Sequence, residues 1–146
     1  MSFVQVGQVV TPQEAFDINW KWFVEEQHGP SMEKTARGGI DCLYRGEGGT
    51  MCAAGLLIPD EKFLEKFNNG TNAVSYAKAA DLVVEWSLLI GNFLYDIQKA
   101  HDSAVFEYDP KIGNNKMYDN FSERIKSNLE GFAKRYKLVI PEGEVN

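Results

Sequence analysis

Apolar and polar residues alternate through Phe3–Val10, with β-branched valines at the apolar positions, which predicts a strand over residues 1–10. Thr11-Pro12-Gln13-Glu14 then reads as a helix start. Thr11 is the N-cap, Pro12 suits the first turn, and Glu14 completes a capping box. Phe16, Trp20 and Phe23 recur at helical spacing, so the helix should run to about His28 and bury that stripe. Gly29-Pro30 should end it, with Gly29 as the left-handed cap. Residues 31–39 are polar and tipped with glycine, which predicts a loop. Ile40–Tyr44 and Met51–Ala54 flank the glycine-rich turn Arg45-Gly46-Glu47-Gly48-Gly49 and should pair as a hairpin.

The second half of the chain reads as mainly helical. Pro59-Asp60-Glu61 opens a short helix, its acids at the positive end of the dipole, stopped by Asn68-Asn69-Gly70. Helical spacing continues from Thr71 to Ala104, divided near Trp86-Ser87 or Gly91, and places Ile90, Leu94, Ile97, His101 and Ala104 on one face. Residues 105–115, with Asp109-Pro110 and Gly113-Asn114-Asn115, predict a loop. Tyr118, Phe121, Ile125, Leu129, Phe132 and Tyr136 define a last helix, followed by a frayed tail over 141–146. The expected fold is α+β, a single domain over 1–146. A small antiparallel sheet, made of the N-terminal strand and the hairpin, is packed by four to five helices. The expected core is Phe16, Trp20, Phe23, Leu57, Leu94, Ile97, Phe121, Ile125, Leu129 and Phe132.

Composition narrows the function classes. The chain has 146 residues, 44% hydrophobic and 12% aromatic, enough to bury a core without metal or disulfides. No apolar run reaches the roughly 18 residues of a membrane span, and MSFVQVGQVV lacks the basic start of a signal peptide, so a cytoplasmic protein is expected. A net charge of −6 argues against direct nucleic-acid binding, which needs surplus Lys and Arg. The local surplus of Lys126, Lys134, Arg135 and Lys137 on the last helix reads first as a solvated face complementing the dipole, and second as a phosphate contact.

Three groups of residues could carry chemistry. Cys42 and Cys52 bracket the glycine turn, and three readings stand side by side: a reduced pair lining the core, a redox pair, or part of a zinc site. The whole soft-ligand inventory is Cys42, Cys52, His28 and His101, but C-x9-C is not a zinc knuckle and His28 sits at a helix end. His101 with Asp102 could act as a general base. Neighbours on a helix diverge by about 100°, however, so a dyad between them is geometrically poor. Arg45 with the amides of Gly46, Gly48 and Gly49 could hold an anion; the alternative is a turn arginine paired with Glu47 or Asp60. There is no nucleophile elbow and no P-loop.

Residues 42–61, CLYRGEGGTMCAAGLLIPDE, resemble a signature of small uncharacterised bacteriophage and bacterial proteins, C-x-Y-R-G-x-x-G-x-x-C-A-x-G-x-L-I-P-D. Ile97-Gln98-Lys99-Ala100-His101-Asp102 resembles the Leu-Gln-x-x-His-Asp segment that follows in such proteins. The resemblance spans about residues 12–137; the strand at 3–10 and the helical stretch around 71–87 depart from it. It implies a compact α+β domain of phage type with no settled activity. It favours accessory roles in an infected bacterial cell, such as blocking a host defence enzyme or sequestering a nucleotide signal.

Three functions follow as expectations. The first is non-enzymatic capture of a small anionic, nucleotide-like ligand in a polar pocket bounded by Arg45, Gly46, Gly48, Gly49, Asp60, His101 and Asp102. It needs no cofactor, and homo-oligomers can form through the N-terminal strand. The second is an inhibitor that docks on a host defence protein. The third is a metal- or thiol-dependent hydrolase built on Cys42, Cys52 and His101.

Overall fold

The computed structural model describes residues 3–5, 10–63, 68 and 90–141. Helix α1 (Pro12–Trp20) starts at the predicted capping box: Thr11 Oγ1 accepts the Glu14 amide at 3.1 Å, and Glu14 Oε1 accepts the Thr11 amide at 3.3 Å. The helix then widens into a π turn, Lys21–Glu25. The left-handed residue that ends it is Gln27, at φ 54°, and not Gly29. The extra residue in the wide turn advances the chain, so His28 N–H reaches the Trp22 carbonyl (3.1 Å) before Gly29 is needed.

The polar stretch expected as a loop contains a strand, β1 (Met32–Lys34), antiparallel to β2 (Ile40–Cys42). Met-Glu-Lys carries no strand pattern of its own. It pairs because the turn 35–39 returns the chain directly, with Thr35 N–H on the Gly39 carbonyl at 2.9 Å. The expected hairpin of 40–44 with 51–54 reduces to one bridge, Arg45 with Met51, and one bond from Cys52 N–H to the Tyr44 carbonyl at 3.2 Å. Past Cys52 the chain coils into the short turn Gly55–Leu57 and leaves the ladder. Gly55 permits this, because a Cβ there would stand 2.0 Å from the Tyr44 carbonyl oxygen.

Helix α2 (Ile90–Val105) leads straight into β3 (Phe106–Asp109), which pairs with β4 (Asn114–Met117). Residues 105–115 are therefore a hairpin and not a loop. Asp109-Pro110 and Gly113 serve as its turn, while the polar strands lacked an apolar alternation to announce them. Helix α3 (Phe121–Tyr136) ends at Lys137 in the left-handed region, with Leu138 N–H returning to the Ala133 carbonyl at 2.8 Å.

The described residues form an α+β arrangement of three α-helices and two small two-stranded antiparallel sheets, against the four to five helices and one sheet expected. Residues 3–5 form no strand, so the expected N-terminal strand is not found there, and residues 6–9 lie outside the described ones. The helix expected at Pro59 is a three-residue turn, Asp60–Lys62. Most of its continuation and residues 71–89 also lie outside the described residues. No helix among the described residues is long and apolar enough to cross a membrane.

All ten residues expected in the core are buried. Helix α2 packs on α3, and α1 with the π turn that follows it closes the third side, through Phe16 and Trp20 from the helix and Phe23 from the turn. Phe16 stacks on Phe132, and Phe93 meets Phe132 edge-on at 5.2 Å. Beyond α3 the chain is tied back to α1 by Gln13, which exchanges two hydrogen bonds with the Val139 backbone at 2.7 and 2.9 Å.

Candidate functional site

The packing brings Cys42, at the end of β2, onto the third turn of α2. The Cys42 sulfur, a His101 ring nitrogen and an Asp102 oxygen all lie within 4.8 Å of one another. His101 is fully buried, its ring 5.5 Å from both Phe23 and Phe121. Asp102 keeps a third of its side chain exposed.

Hydrogen bonding orders the group. The Ser31 backbone N–H can only donate, and it points at His101 Nε2 at 3.2 Å. The Nε2 lone pair is therefore used, and the proton of the neutral ring sits on Nδ1. Nδ1–H then donates to Asp102 Oδ1 at 2.8 Å. The same oxygen accepts Gln98 Nε2–H at 2.8 Å, one turn back along α2, and Asp102 also bonds the Cys42 side chain. Gln98 in turn accepts the Ala54 amide on Oε1 at 2.8 Å.

The dyad judged poor on helical angle thus exists. Successive Cβ atoms do diverge, but each side chain has a second rotatable bond, and Gln98 draws the carboxylate back across the helix face. Gln98 entered the sequence reading only as a member of the Leu-Gln-x-x-His-Asp segment, with no role assigned to it, and the amides of Ser31 and Ala54 were not singled out. The Gln98–Asp102 spacing of four was the available signal, since such pairs meet on one helix face.

Both thiols are held in the neutral form. Burial, and then the Asp102 carboxylate, raises Cys42 well above its ordinary value. Burial and the same carboxylate push Cys52 up to about 12, although the Gly55 amide (3.3 Å to Sγ) pulls the other way. The cysteines are free, Cys52 fully buried and Cys42 half-buried.

This arrangement is unfavourable for thiol catalysis. An activated cysteine needs the imidazole between sulfur and carboxylate, where it can take the thiol proton. Here the hydrogen bonds of both the Cys42 thiol and the imidazole go to the Asp102 carboxylate, and both thiols are raised. A metal ion also fits poorly on the described contacts. Ligation through Nδ1 would move the ring proton to Nε2, against the Ser31 N–H. Cys52, named with Cys42 and His101 in the zinc reading, is replaced in the close group by Asp102. His28 stacks on Trp22 (3.5 Å) and bonds Glu26 (3.1 Å).

Arg45 belongs to a different set of contacts. Nη1 pairs with Asp60 Oδ1 at 2.7 Å, Nη2 donates to the Ile58 carbonyl at 2.9 Å, and the guanidinium lies 4.7 Å from the Phe63 ring centroid. Asn68 brackets its backbone with two bonds, 3.0 and 2.8 Å. Of the two turn partners considered, Asp60 is the one engaged. Gly48 and Gly49 adopt positive φ (71° and 80°) on an exposed turn, and Gly46 is partly covered beside Thr50. The contacts of His101 and Asp102 run to Ser31, Gln98 and Cys42, and those of Arg45 to Asp60, Ile58, Phe63 and Asn68. The described contacts do not join the seven residues expected around one pocket.

The raised thiols fix the sign of an alkaline effect. A thiol ordinarily ionises near 9.0, and Cys52 does so near 12 in the folded chain. The fold holds this contribution in full below pH 9 and loses it as pH rises toward 12, by up to about 1.4 kcal/mol per pH unit. Urea midpoints should be level from pH 7 to 8.5 and fall by pH 10.5, with a shallower fall in Cys52→Ala. Equal profiles for the two proteins would refute the assignment.

Comparison with protein-family models, curated proteins and solved structures finds no match to this chain.

Proposed function

We propose that this protein works by binding and not by catalysis, capturing a small anionic, nucleotide-like ligand. The observation that carries the reading is the closed Cys42–Asp102–His101 group. Its carboxylate takes the hydrogen bonds of both thiol and imidazole, and both ring nitrogens are engaged, which leaves no activated nucleophile there. The resemblance of residues 42–61 and 97–102 to small phage and bacterial proteins supports an accessory role in an infected cell, such as sequestration of a host immune signal.

A second reading, an inhibitor docked on a host defence protein, draws support from the β3–β4 hairpin. Tyr108 and Ile112 are 64% and 61% exposed there. A thermal-shift panel of nucleoside phosphates, cyclic dinucleotides, NAD and ADP-ribose separates the readings. A ligand at 100 times its dissociation constant should add about 2.7 kcal/mol of stability, and chromatography should recover it unchanged. Conversion of the ligand would overturn the binding reading in favour of an enzyme. A flat panel together with stoichiometric capture of a host protein would favour the inhibitor.

A further inference from the structure

A groove of about 360 Å³ opens between α2 and α3. Each helix gives it one stripe at helical spacing, Asp96, Lys99 and Ser103 from α2 and Asn128, Gly131 and Arg135 from α3. Its depth comes from Gly131, where an added Cβ would meet nothing within 4 Å. The buried ring of Phe132 contributes apolar floor.

The charges at this groove are unequal in reach. The Asp96 carboxylate is 15% exposed and bonds the Tyr136 hydroxyl, so its charge is largely covered. Arg135 lies 3.4 Å from Asp96, yet its side chain is 70% exposed. Lys99 is exposed and has no ion pair among the described residues. A solute entering the groove therefore meets two accessible cations against one covered anion, on a chain whose net charge is −6. Asn128 spends its Nδ2 on the Ala100 carbonyl (2.9 Å) and Ser103 Oγ (3.3 Å), which leaves Oδ1 as an acceptor for a ligand hydroxyl or amine.

We propose that this groove is a binding site for a phosphate monoester of nucleotide size, with Lys99 and Arg135 on the phosphate and Asn128 on the body of the ligand. The proposal rests on the binding reading above and gives it a place and a ligand class. The volume lies near the lower end of small-molecule sites, of order 300–1,000 Å³, which suits one mononucleotide.

Calorimetric titration at low salt with adenosine 5′-monophosphate, adenosine and inorganic phosphate tests it. The monophosphate should bind more tightly than either fragment. Lys99→Gln and Arg135→Gln should each weaken it by about tenfold, equivalent to 1.4 kcal/mol. Gly131→Leu should abolish binding by filling the groove in a fold that tolerates it, confirmed by an unchanged circular dichroism spectrum. Lys134→Gln, one position outside the lining, should bind like the parent. Failure of the monophosphate to bind, or binding that Gly131→Leu leaves intact, overturns the site. If another ligand protects the parent and Gly131→Leu alike, the groove falls and the binding reading stands. If the monophosphate is consumed and Gly131→Leu prevents it, the groove stands and the binding-only reading falls.

Discussion

Replacing Gly55 by alanine should cost about 3 kcal/mol or more and leave little folded protein at 37 °C, since an overpacked backbone contact sits at the upper end of such penalties. The added Cβ would lie 2.0 Å from the Tyr44 carbonyl oxygen and 2.9 Å from its carbon. Neither atom belongs to a flexible side chain, and the same carbonyl accepts the Cys52 amide. Relief would have to move the chain around both residues. Gly131→Ala makes the contrast, being inside α3 with open space around its Cβ; there alanine should stabilise by up to about 1 kcal/mol. Thermal melts of the two variants check this. A Gly55→Ala melt within a few degrees of the parent would show that the Tyr44 peptide turns freely.

His101→Ala should destabilise by about 3–5 kcal/mol, a large part of the 5–15 kcal/mol that holds a typical domain together. Two losses combine. The ring fills the space between Phe23 and Phe121 at zero exposure, so its removal leaves a cavity. The Ser31 amide and Asp102 also each lose a partner. His101→Phe separates the two, because it restores volume without hydrogen bonds and should cost about 1–3 kcal/mol. Urea denaturation at pH 7 gives both values. A cost below about 1 kcal/mol for His101→Ala would mean that the group does not brace the fold.

The sequence made some layers of this structure legible and hid others, for identifiable reasons. The core could be read because α1, α2 and α3 bury single stripes, from Phe16 to Phe132, that recur at helical spacing. The capping box at Thr11 was equally explicit. Of the strands, Ile40–Cys42 falls within the one expected at Ile40–Tyr44, whereas Met32–Lys34, Phe106–Asp109 and Asn114–Met117 were hidden because they are short, mostly polar and at best partly covered, and are held by their turns and neighbours more than by an apolar face. At the site, His101, Asp102 and Cys42 were visible as residue types. Their order was not, since it depends on the Ser31 amide and on Gln98 steering a carboxylate across the helix. Arg45 shows the opposite case: its pairing with Asp60 was one of two stated alternatives, and the tertiary packing selected it.

The bonds that assemble the Cys42–Asp102–His101 group also bear on the order in which the chain folds. Ser31 and His101 are 70 positions apart, and Ala54 and Gln98 are 44 apart. The β3–β4 hairpin and the α2–α3 pair close over far shorter stretches of chain. Closing a loop costs entropy that grows with its length, by about 0.6 kcal/mol per doubling, and nothing returns that cost until the distant partners meet. The carboxyl-terminal half can therefore condense first, α2 against α3 with the hairpin between them. It then presents Gln98, His101 and Asp102 as a row of side-chain partners for the segments around residues 31, 42 and 54, which have little regular structure of their own. In this order α2 acts as a template: the polar residues that look most like an active site are the ones that receive the amino-terminal half of the chain.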